Sequence, residues 1–344
     1  MSNPTHIGIA LNPDDRFFLI QKPIYNGIKL FFDSKPDYVI DLISTSDDLD
    51  GQRKAAQETV KRSLRFVIGH NFSGLSEAYL RALPKDYPVT YVTPFATSTG
   101  LTSVRESVYL VWPDNERQIR ALVAFTVKNK VSTKNIVTVV NESETYSVDM
   151  ANLFANMLVK NGSTPTKVSY IRDSFNAKAM AEKIKKLEPT LLFLPIYNRE
   201  LIELYQALWE TSADKSKMPV VICGDTVGTE EDFFKMLGNK VRIPSDRFFF
   251  TNGFAKELLA GNLAKFAAMY RKKFGEDPNA GAVAGYQAAQ VMHALIQKKG
   301  SKHPRSIDVA GWLGTFDAHN RLLRPLVLNE ISSAGFKMRE VIND

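Results

Sequence analysis

Apolar runs and helical patterns alternate along the first part of the chain. Between two β-rich runs, residues 19–32 place Ile24, Ile28 and Phe31 at the i, i+4, i+7 spacing of one helix face. Short β-rich runs separated by helical stretches are typical of βαβ units and a parallel sheet. The pattern predicts strands at residues 6–11, 38–44, 66–69 and 89–92.

A second series of the same kind follows the segment 108–112. Gly162 lies just past one of its helices and marks the helix end, because glycine tolerates the left-handed conformation. The series predicts a second complete α/β sheet. Its predicted strands are residues 136–140, 167–171, 191–194 and 220–223, and its predicted helices are 117–129, 147–161, 177–187 and 200–211.

After a strand predicted at 248–251, the pattern becomes mainly helical. Apolar positions from Leu258 to Tyr270 predict one long amphipathic helix ended by Gly275, and an alanine-rich stretch predicts a helix at 280–297. The tail predicts a β-hairpin of residues 326–331 and 336–341. Strands that return so late indicate several crossings between two lobes. The predicted fold is α/β, with two doubly wound parallel-sheet lobes joined by a multi-strand hinge and ligands at the strands' carboxyl ends.

Size and composition agree with two globular lobes. The 344 residues with 44% hydrophobic content fit about two domains. The longest apolar runs fall far short of the roughly 20 residues that a membrane span needs, so we expect a soluble protein. The start lacks the basic and apolar stretches of a secretory leader. We therefore expect either that a leader has been removed or that the protein is cytosolic.

The residues with reactive or metal-binding side chains are scattered. Cys223 stands alone in an apolar run, where we expect a buried strand residue, and the five histidines lack ligand spacing. We expect no metal, no cofactor and no catalytic residue. The net charge is +7, but the clusters of lysines and arginines fall near the ends of predicted helices, and no basic stripe interleaved with aromatics occurs. We therefore expect no nucleic-acid partner.

Polar side chains follow two strands of the first predicted sheet. Ser73 comes shortly after the third strand, and Thr97 after the fourth, each in a loop that offers backbone N–H groups. If helices begin there, they favour an anion such as a carboxylate. The alternative is that Ser73 and Thr97 are ordinary helix N-caps.

The second predicted sheet offers an acid between aromatic edges. Tyr146, Tyr197 and Asp225 each follow a predicted strand. An ammonium group needs such a carboxylate in a shielded site, and a tyrosine face adds a cation–π attraction. The alternatives are that Asp225 caps the next helix and that both tyrosines are half-buried strand-end aromatics.

Several stretches, taken in order, resemble one family. They are IGIAL at 7–11, NGI at 26–28, VIG at 67–69, TPFAT at 93–97, WPD at 112–114, Tyr146 and GYQA at 285–288. Over essentially its whole length the chain resembles the periplasmic branched-chain amino-acid (Leu/Ile/Val) binding proteins, the type I solute receptors of ABC transporters. The resemblance implies one lobe of residues 1–117 plus 246–324, a second of 118–245 plus 325–344, and a ligand cleft between them.

The resemblance also implies a division of the ligand contacts. The α-carboxylate would be held at Ser73 and Thr97, with the backbone of Phe95, Ala96 and Thr97. The ammonium would be held at Asp225, Tyr146 and Tyr197.

The chain departs from the family pattern in several places. Asp225 stands where branched-chain binders typically carry glutamate, Phe95 replaces a small residue, and the familiar cysteine pair is absent. The first loop, residues 12–18, contains Arg16 and Phe18 in place of small residues. We expect Arg16 and Phe18 to govern the choice of ligand side chain.

The resemblance implies a periplasmic or extracellular receptor that closes on an amino acid or related small carboxylate and docks on an ABC-transporter permease. A cytosolic regulator of the same fold, sensing an amide or amino acid, is the alternative. An enzyme is disfavoured, because no glycine-rich phosphate loop, nucleophile elbow or metal set occurs.

Overall fold

The protein is represented by a computed structural model that describes residues 3–14, 20–46, 48–261, 263–297, 307–309 and 312–343. The chain divides into two compact units. The first is Met1–Asp114 with Lys256–Arg324, and the second is Asn115–Ala255 with Pro325–Asn343. The chain therefore passes between the units three times. The first passage precedes residue 117 and the second follows residue 246, so these unit bounds differ from the lobe bounds that the resemblance implies.

The first unit begins with a five-stranded parallel sheet in the order β2-β1-β3-β4-β5. Helices α2 and α3, which the sequence reading did not place, pack their buried residues on one part of the core, while α1 packs on another. The elements in chain order are β1 Thr5–Ala10, α1 Gln21–Phe32, β2 Tyr38–Leu42, α2 Leu49–Lys61, β3 Phe66–Gly69, α3 Ser73–Ala82, β4 Thr90–Thr93 and β5 Val108–Leu110.

The second unit repeats this alternation. Its elements are α4 Asn115–Lys128, β6 Ile136–Asn141, α5 Thr145–Lys160, β7 Thr166–Tyr170, α6 Ala177–Lys186, β8 Leu191–Phe193, α7 Asn198–Thr211, β9 Val220–Cys223, α8 Glu230–Leu237 and β10 Phe248–Asn252. All six residues of β6 are buried, as expected for an inner strand of a covered parallel sheet. Gly162 follows α5 with φ of 75°, which agrees with its expected role at the helix end.

The chain then returns to the first unit. It adds α9 Ala264–Phe274, α10 Ala280–Gln297 and a small antiparallel sheet of β11 Ile307–Val309, β12 Trp312–Phe316 and β13 Leu322–Leu323. The prediction of one long helix from Leu258 onwards is wrong. A 3₁₀ turn, Lys256–Ala260, precedes α9, because the chain turns at Gly261, whose N–H bonds to the Leu258 carbonyl at 3.1 Å.

The C-terminal hairpin completes the second sheet. It consists of β14 Leu326–Ser332 and β15 Gly335–Ile342 and forms an antiparallel edge beside β10. The sheet order is β15-β14-β10-β9-β8-β6-β7. The mixed α/β fold of two units with mainly parallel sheets is the one that the hydrophobic pattern predicts.

Two glycines let α1 and α10 of the first unit approach at backbone distance. A Cβ atom on Gly27 would lie 2.7 Å from the backbone nitrogen of Tyr286, and one on Gly285 would lie 2.8 Å from the carbonyl carbon of Ile24. Real Cβ atoms do not approach that closely. Both glycines belong to the stretches that carry the family resemblance. Part of that resemblance therefore reflects the need for glycine where the two helices pack.

Arg105 is expected to stabilise the connection between α3 and β4. Its guanidinium donates hydrogen bonds to five backbone carbonyls, those of residues 80, 83, 84, 85 and 87, over 2.7 to 3.4 Å. Hydrogen bonds from charged donors contribute about 1.5–3 kcal/mol each, although released carbonyls regain water. We expect Arg105→Ala to lower the free energy of unfolding by about 2–4 kcal/mol in urea titrations.

Arg81→Ala is the matched control for Arg105→Ala. Arg81 lies on α3, is largely exposed and pairs only one turn away with Glu77 at 2.8 Å. Such an exposed pair contributes less than about 1 kcal/mol. Equal effects of the two substitutions would show that the carbonyl contacts of Arg105 add nothing to stability.

Candidate functional site

Ser73 accepts hydrogen bonds from two backbone N–H groups at the carboxyl end of the first sheet. Its side-chain oxygen accepts the N–H groups of Thr97 at 3.3 Å and Ser98 at 3.2 Å. Ser73 and Thr97 are both buried. Ser73 is the first residue of α3 rather than its N-cap, and Thr97 precedes a 3₁₀ turn, Thr99–Ser103, whose N-cap is Ser98. The structure therefore brings the two predicted loops together and does not place either residue as an ordinary cap.

Thr93 fixes these loops to each other. Its hydroxyl donates to the His70 carbonyl at 2.8 Å and accepts the Ala96 N–H at 3.0 Å. The Ala96 N–H thus donates to an acceptor within its own loop. The Thr97 N–H donates to the Ser73 hydroxyl, and a ligand oxygen could replace that hydroxyl as its acceptor. Of the Ala96 and Thr97 N–H groups, that of Thr97 is the better placed to bind an anion.

Phe95 forms one layer of an aromatic stack. Its half-buried ring lies on the ring of Trp112 with centroids 4.6 Å apart and 23° between the planes. The buried guanidinium of Arg324 lies 4.6 Å from the centroid of the same Trp112 ring and donates a hydrogen bond to Gln287. The sequence analysis used Trp112 and Gln287 only as part of the family resemblance and did not predict Trp112, Arg324 or Gln287 as site residues. Through Trp112 they set the position of the Phe95 ring.

Asp225 is a buried carboxylate at the carboxyl end of the second sheet. It follows β9 by two residues and is 4% exposed. Its Oδ2 atom hydrogen-bonds to no described residue. Asp225 does not cap the next helix, because α8 begins five residues later with Thr229 as its N-cap. A buried carboxylate oxygen without a hydrogen-bond partner is costly, so Oδ2 indicates a function outside the fold itself.

The environment of Asp225 favours its neutral form in this unit. Burial raises the pKa of Asp225 to about 7, and its own backbone N–H, Gln118 and Tyr146 oppose the shift only in part. Burial, with the nearby Asp225, also raises the pKa of the Tyr146 hydroxyl. A cation bound beside Asp225 would stabilise the ionised carboxylate and lower its pKa.

Two tyrosines stack in the second unit near this carboxylate. The rings of Tyr146 and Tyr197 have centroids 5.9 Å apart and 21° between their planes. Tyr146 lies in the first turn of α5, and Tyr197 is the N-cap residue of α7. The structure thus brings the three predicted residues, Tyr146, Tyr197 and Asp225, to one edge of the sheet.

Gln118 and Gly224 shape the same region and were missed by sequence reasoning. Gln118 is fully buried on α4, and its side-chain oxygen accepts the Thr251 hydroxyl at 2.9 Å. Its side chain also hydrogen-bonds to Asp225. A Cβ atom on Gly224 would collide with the Tyr146 hydroxyl and lie 3.0 Å from Gln118 Oε1. In the sequence, the glycine before Asp225 was the one signal of this region, because a residue without a side chain lets other side chains approach the backbone closely.

A second polar group lies farther along this sheet edge. The Asn141 amide donates to Glu200 Oε1 at 3.3 Å. Burial raises the pKa of Glu200, opposed by Tyr170, Arg172 and Asn141. Since Asn141 ends β6 and Tyr170 ends the neighbouring β7, these groups extend the polar edge beyond Tyr197.

Arg16 and Phe18, the predicted specificity residues, lie outside the described residues. Across the described ranges, no group of three histidine, cysteine, aspartate or glutamate side chains could hold a metal ion. No helix among them is long and apolar enough to cross a membrane. Cys223 is buried in β9, and burial raises the pKa of its thiol.

The comparison with protein families identifies the class. The family model described as periplasmic binding protein matches residues 40–310. This range is more than half of the chain, which therefore belongs to the periplasmic binding protein family. The family consists of solute-binding proteins, and the type I fold agrees with the two α/β units.

Three solved structures share this fold along nearly their whole length. The leucine-binding protein LivK of Thermotoga maritima MSB8 has a TM-score of 0.85 at 21% identity, covering 98% of this chain and 99% of that one. LivJ of Streptococcus pneumoniae, in complex with isoleucine, has a TM-score of 0.79 at 16% identity with coverages of 98% and 99%. An R. palustris ABC-transporter solute-binding protein in complex with 4-hydroxybenzoate has a TM-score of 0.84 at 14% identity, covering 99% and 98%. No curated protein sequence matches the chain.

Proposed function

We propose that this protein is the extracytoplasmic receptor of an ABC transporter that binds an α-amino acid or a related small carboxylate. The two lobes close around the ligand, and the closed form docks on the membrane permease. Closure is driven by the contacts that the ligand makes in the closed state alone. The family, the fold and the residues at both sheet edges support this function, and the receptor works in the periplasm or outside the cell.

The single observation that carries the proposal is the buried Asp225 carboxylate. Its Oδ2 has no hydrogen-bond partner among the described residues, and the stacked Tyr146 and Tyr197 stand near it. A carboxylate together with aromatic faces is a binding site for an ammonium group. Ser73 and Thr97 supply hydroxyls and an N–H group for a carboxylate, so the two sets match the two charges of an amino acid.

Aromatic carboxylates are the second candidate ligands. A solute-binding protein of the same fold is in complex with 4-hydroxybenzoate, and the Phe95–Trp112 stack offers an aromatic surface. In that case a protonated Asp225 would donate a hydrogen bond to a hydroxyl instead of pairing with a cation. The two candidates share the carboxylate contacts and differ in what faces Asp225.

A thermal-shift screen tests the proposal. A ligand that binds only the folded state raises the melting temperature, by an amount that corresponds to about 2.7 kcal/mol at a concentration 100 times the Kd. We expect a shift with at least one amino acid and none with its N-acetyl derivative, which lacks the ammonium group. Shifts with hydroxybenzoates alone would favour the second candidate, and no shift with any carboxylate would contradict both.

A further inference from the structure

Asn71 is a buried amide that the first unit leaves unsatisfied. It lies between β3 and α3, two residues before Ser73, and is 5% exposed. Its Nδ2 atom is shielded from solvent and hydrogen-bonds to no described residue. A buried amide without a partner costs free energy, so an apolar residue of the same shape would leave this unit more stable. The reason for asparagine here therefore lies outside the fold.

The loop contacts place Asn71 beside the proposed carboxylate site. Immediately before it, the His70 carbonyl accepts the Thr93 hydroxyl at 2.8 Å. Two residues after it, the Ser73 oxygen accepts the Thr97 N–H at 3.3 Å. Asn71 is thus bracketed in the chain by two hydrogen bonds to the loop that would hold the ligand carboxylate.

The surroundings of Asn71 are polar but uncharged. The two loops, GHNFSG at 69–74 and TPFATS at 93–98, contain no lysine, arginine, aspartate or glutamate. His70 is neutral, because burial lowers its pKa to about 3, and its Nδ1 atom lies 3.0 Å from the Tyr91 hydroxyl. Backbone N–H groups and hydroxyls of these loops can hold the ligand carboxylate, but a charged ligand side chain would find no side chain of opposite charge in them. The Asn71 amide can both donate to and accept from a neutral polar group.

We infer that Asn71 selects α-amino acids whose side chain carries an uncharged hydrogen-bonding group, a carboxamide or a hydroxyl, over those with aliphatic side chains. This inference rests on the proposed function, since Ser73 and Thr97 must hold the carboxylate for the side chain to reach Asn71. A ligand with a polar side chain hydrogen-bonds to the Asn71 amide. An aliphatic ligand leaves that amide buried without a hydrogen bond. A site built to hydrogen-bond a ligand group rejects analogues that lack the group far more strongly than an apolar pocket rejects a missing methylene.

Near-isosteric ligand pairs test the inference by titration calorimetry. Asparagine is compared with leucine, and threonine with valine, on the wild type and on Asn71→Leu. We expect the wild type to bind the polar member of at least one pair about tenfold or more tightly than its partner. We expect Asn71→Leu to bring that ratio to unity or to reverse it, with the carboxylate contacts left in place.

Two further variants separate selection from a general effect on folding. Asn71→Ala removes the amide without adding bulk and should also abolish the preference. Asn239→Leu makes the same chemical change at an exposed asparagine after α8 and should leave both ratios unchanged. The melting temperature of each ligand-free variant shows whether it is folded, and Asn71→Leu should match or exceed the wild type.

The outcomes distinguish the inference from the function on which it rests. If the wild type binds amino acids but prefers leucine and valine, or if both Asn71 variants keep the wild-type ratios, the inference is overturned and the receptor function stands. If the wild type binds no α-amino acid, the proposed function fails and the inference fails with it. A preference lost in both Asn71 variants and kept in Asn239→Leu supports the inference.

Discussion

Asp225→Ala is expected to weaken the binding of an amino acid by about 30-fold to 5,000-fold. This range corresponds to about 2–5 kcal/mol, the cost of removing one partner of a buried charge pair. Asp225 is 4% exposed, so water cannot replace the lost carboxylate in the way it could at a surface site. Titration calorimetry with a ligand from the thermal-shift screen measures the loss, and an unchanged affinity would contradict the ammonium assignment.

The pH dependence of the same binding equilibrium shows whether an ammonium group or a hydroxyl of the ligand faces Asp225. Because the pKa of the ligand-free carboxyl is about 7, a cation must displace a proton below that pH. Affinity for an amino acid should therefore rise by up to about tenfold per pH unit until pH 7 and then level off. A hydroxybenzoate that accepts a bond from the protonated acid would show the opposite trend, and Asp225→Asn should remove either slope.

Ligand-free stability serves as the control for Asp225. The folded pKa of about 7 lies above the ordinary value of 3.8, so between these values the folded state holds more protons than the unfolded state. The free energy of unfolding of the wild type should fall as pH rises through this window, by an amount on the order of 4 kcal/mol. Asp225→Asn should lack this fall and be more stable than the wild type at pH 8 while binding ligand worse. Parallel pH profiles would show that the carboxyl titrates normally.

The strands could be predicted from the sequence because each inner strand is a short apolar run bounded by turn residues. Strands β3 and β9 coincide with their predicted bounds, Phe66–Gly69 and Val220–Cys223. Helices α2 and α3 were missed. The buried face of α2 consists of small or polar residues such as Ala55 and Ala56, which give a weak periodic signal, and α3 is a short helix of ten residues that buries two serines. The small sheet β11 to β13 was also missed, because its strands are only two to five residues long.

The candidate site could be predicted only as far as strand ends reveal it. Ser73 follows a strand of the first sheet, whereas Tyr146 and Asp225 follow strands of the second. Parallel strands bring such positions to the carboxyl edge of their own sheet. Gln118 could not be recognised in this way. Gln118 lies within a helix, and its contact with Thr251 joins positions 133 residues apart. The cost of the unpaired Asn71 amide is likewise a property of burial, which no sequence pattern displays.

Gly285→Ala is expected to destabilise the first unit by about 2–4 kcal/mol. The new methyl carbon would lie 2.8 Å from the carbonyl carbon of Ile24 and closer still to its oxygen. Overpacking of this kind costs about 1–3 kcal/mol and sometimes more. The upper part of the range is expected here, because the backbone of α1 must move rather than the end of a side chain. The higher helix propensity of alanine returns at most about 1 kcal/mol, so the clash decides the sign. Urea unfolding of the ligand-free protein measures the change.

Gly281→Ala on the same helix is the graded comparison. Its new methyl carbon would meet the flexible end of Ile20, the Cδ1 atom, at 2.7 Å, and the Ile20 carbonyl oxygen at 3.0 Å. Since a side-chain end moves more easily than backbone, we expect a smaller loss than for Gly285→Ala. The displacement also bears on the site: Gln21 at the start of α1 accepts the N–H of Asn12 at 2.9 Å, so moving α1 disturbs the strand-end loop after β1. If Gly285→Ala were as stable as the wild type, the close approach of α1 and α10 would not be required for folding, and the resemblance at both glycine stretches would need a reason other than packing.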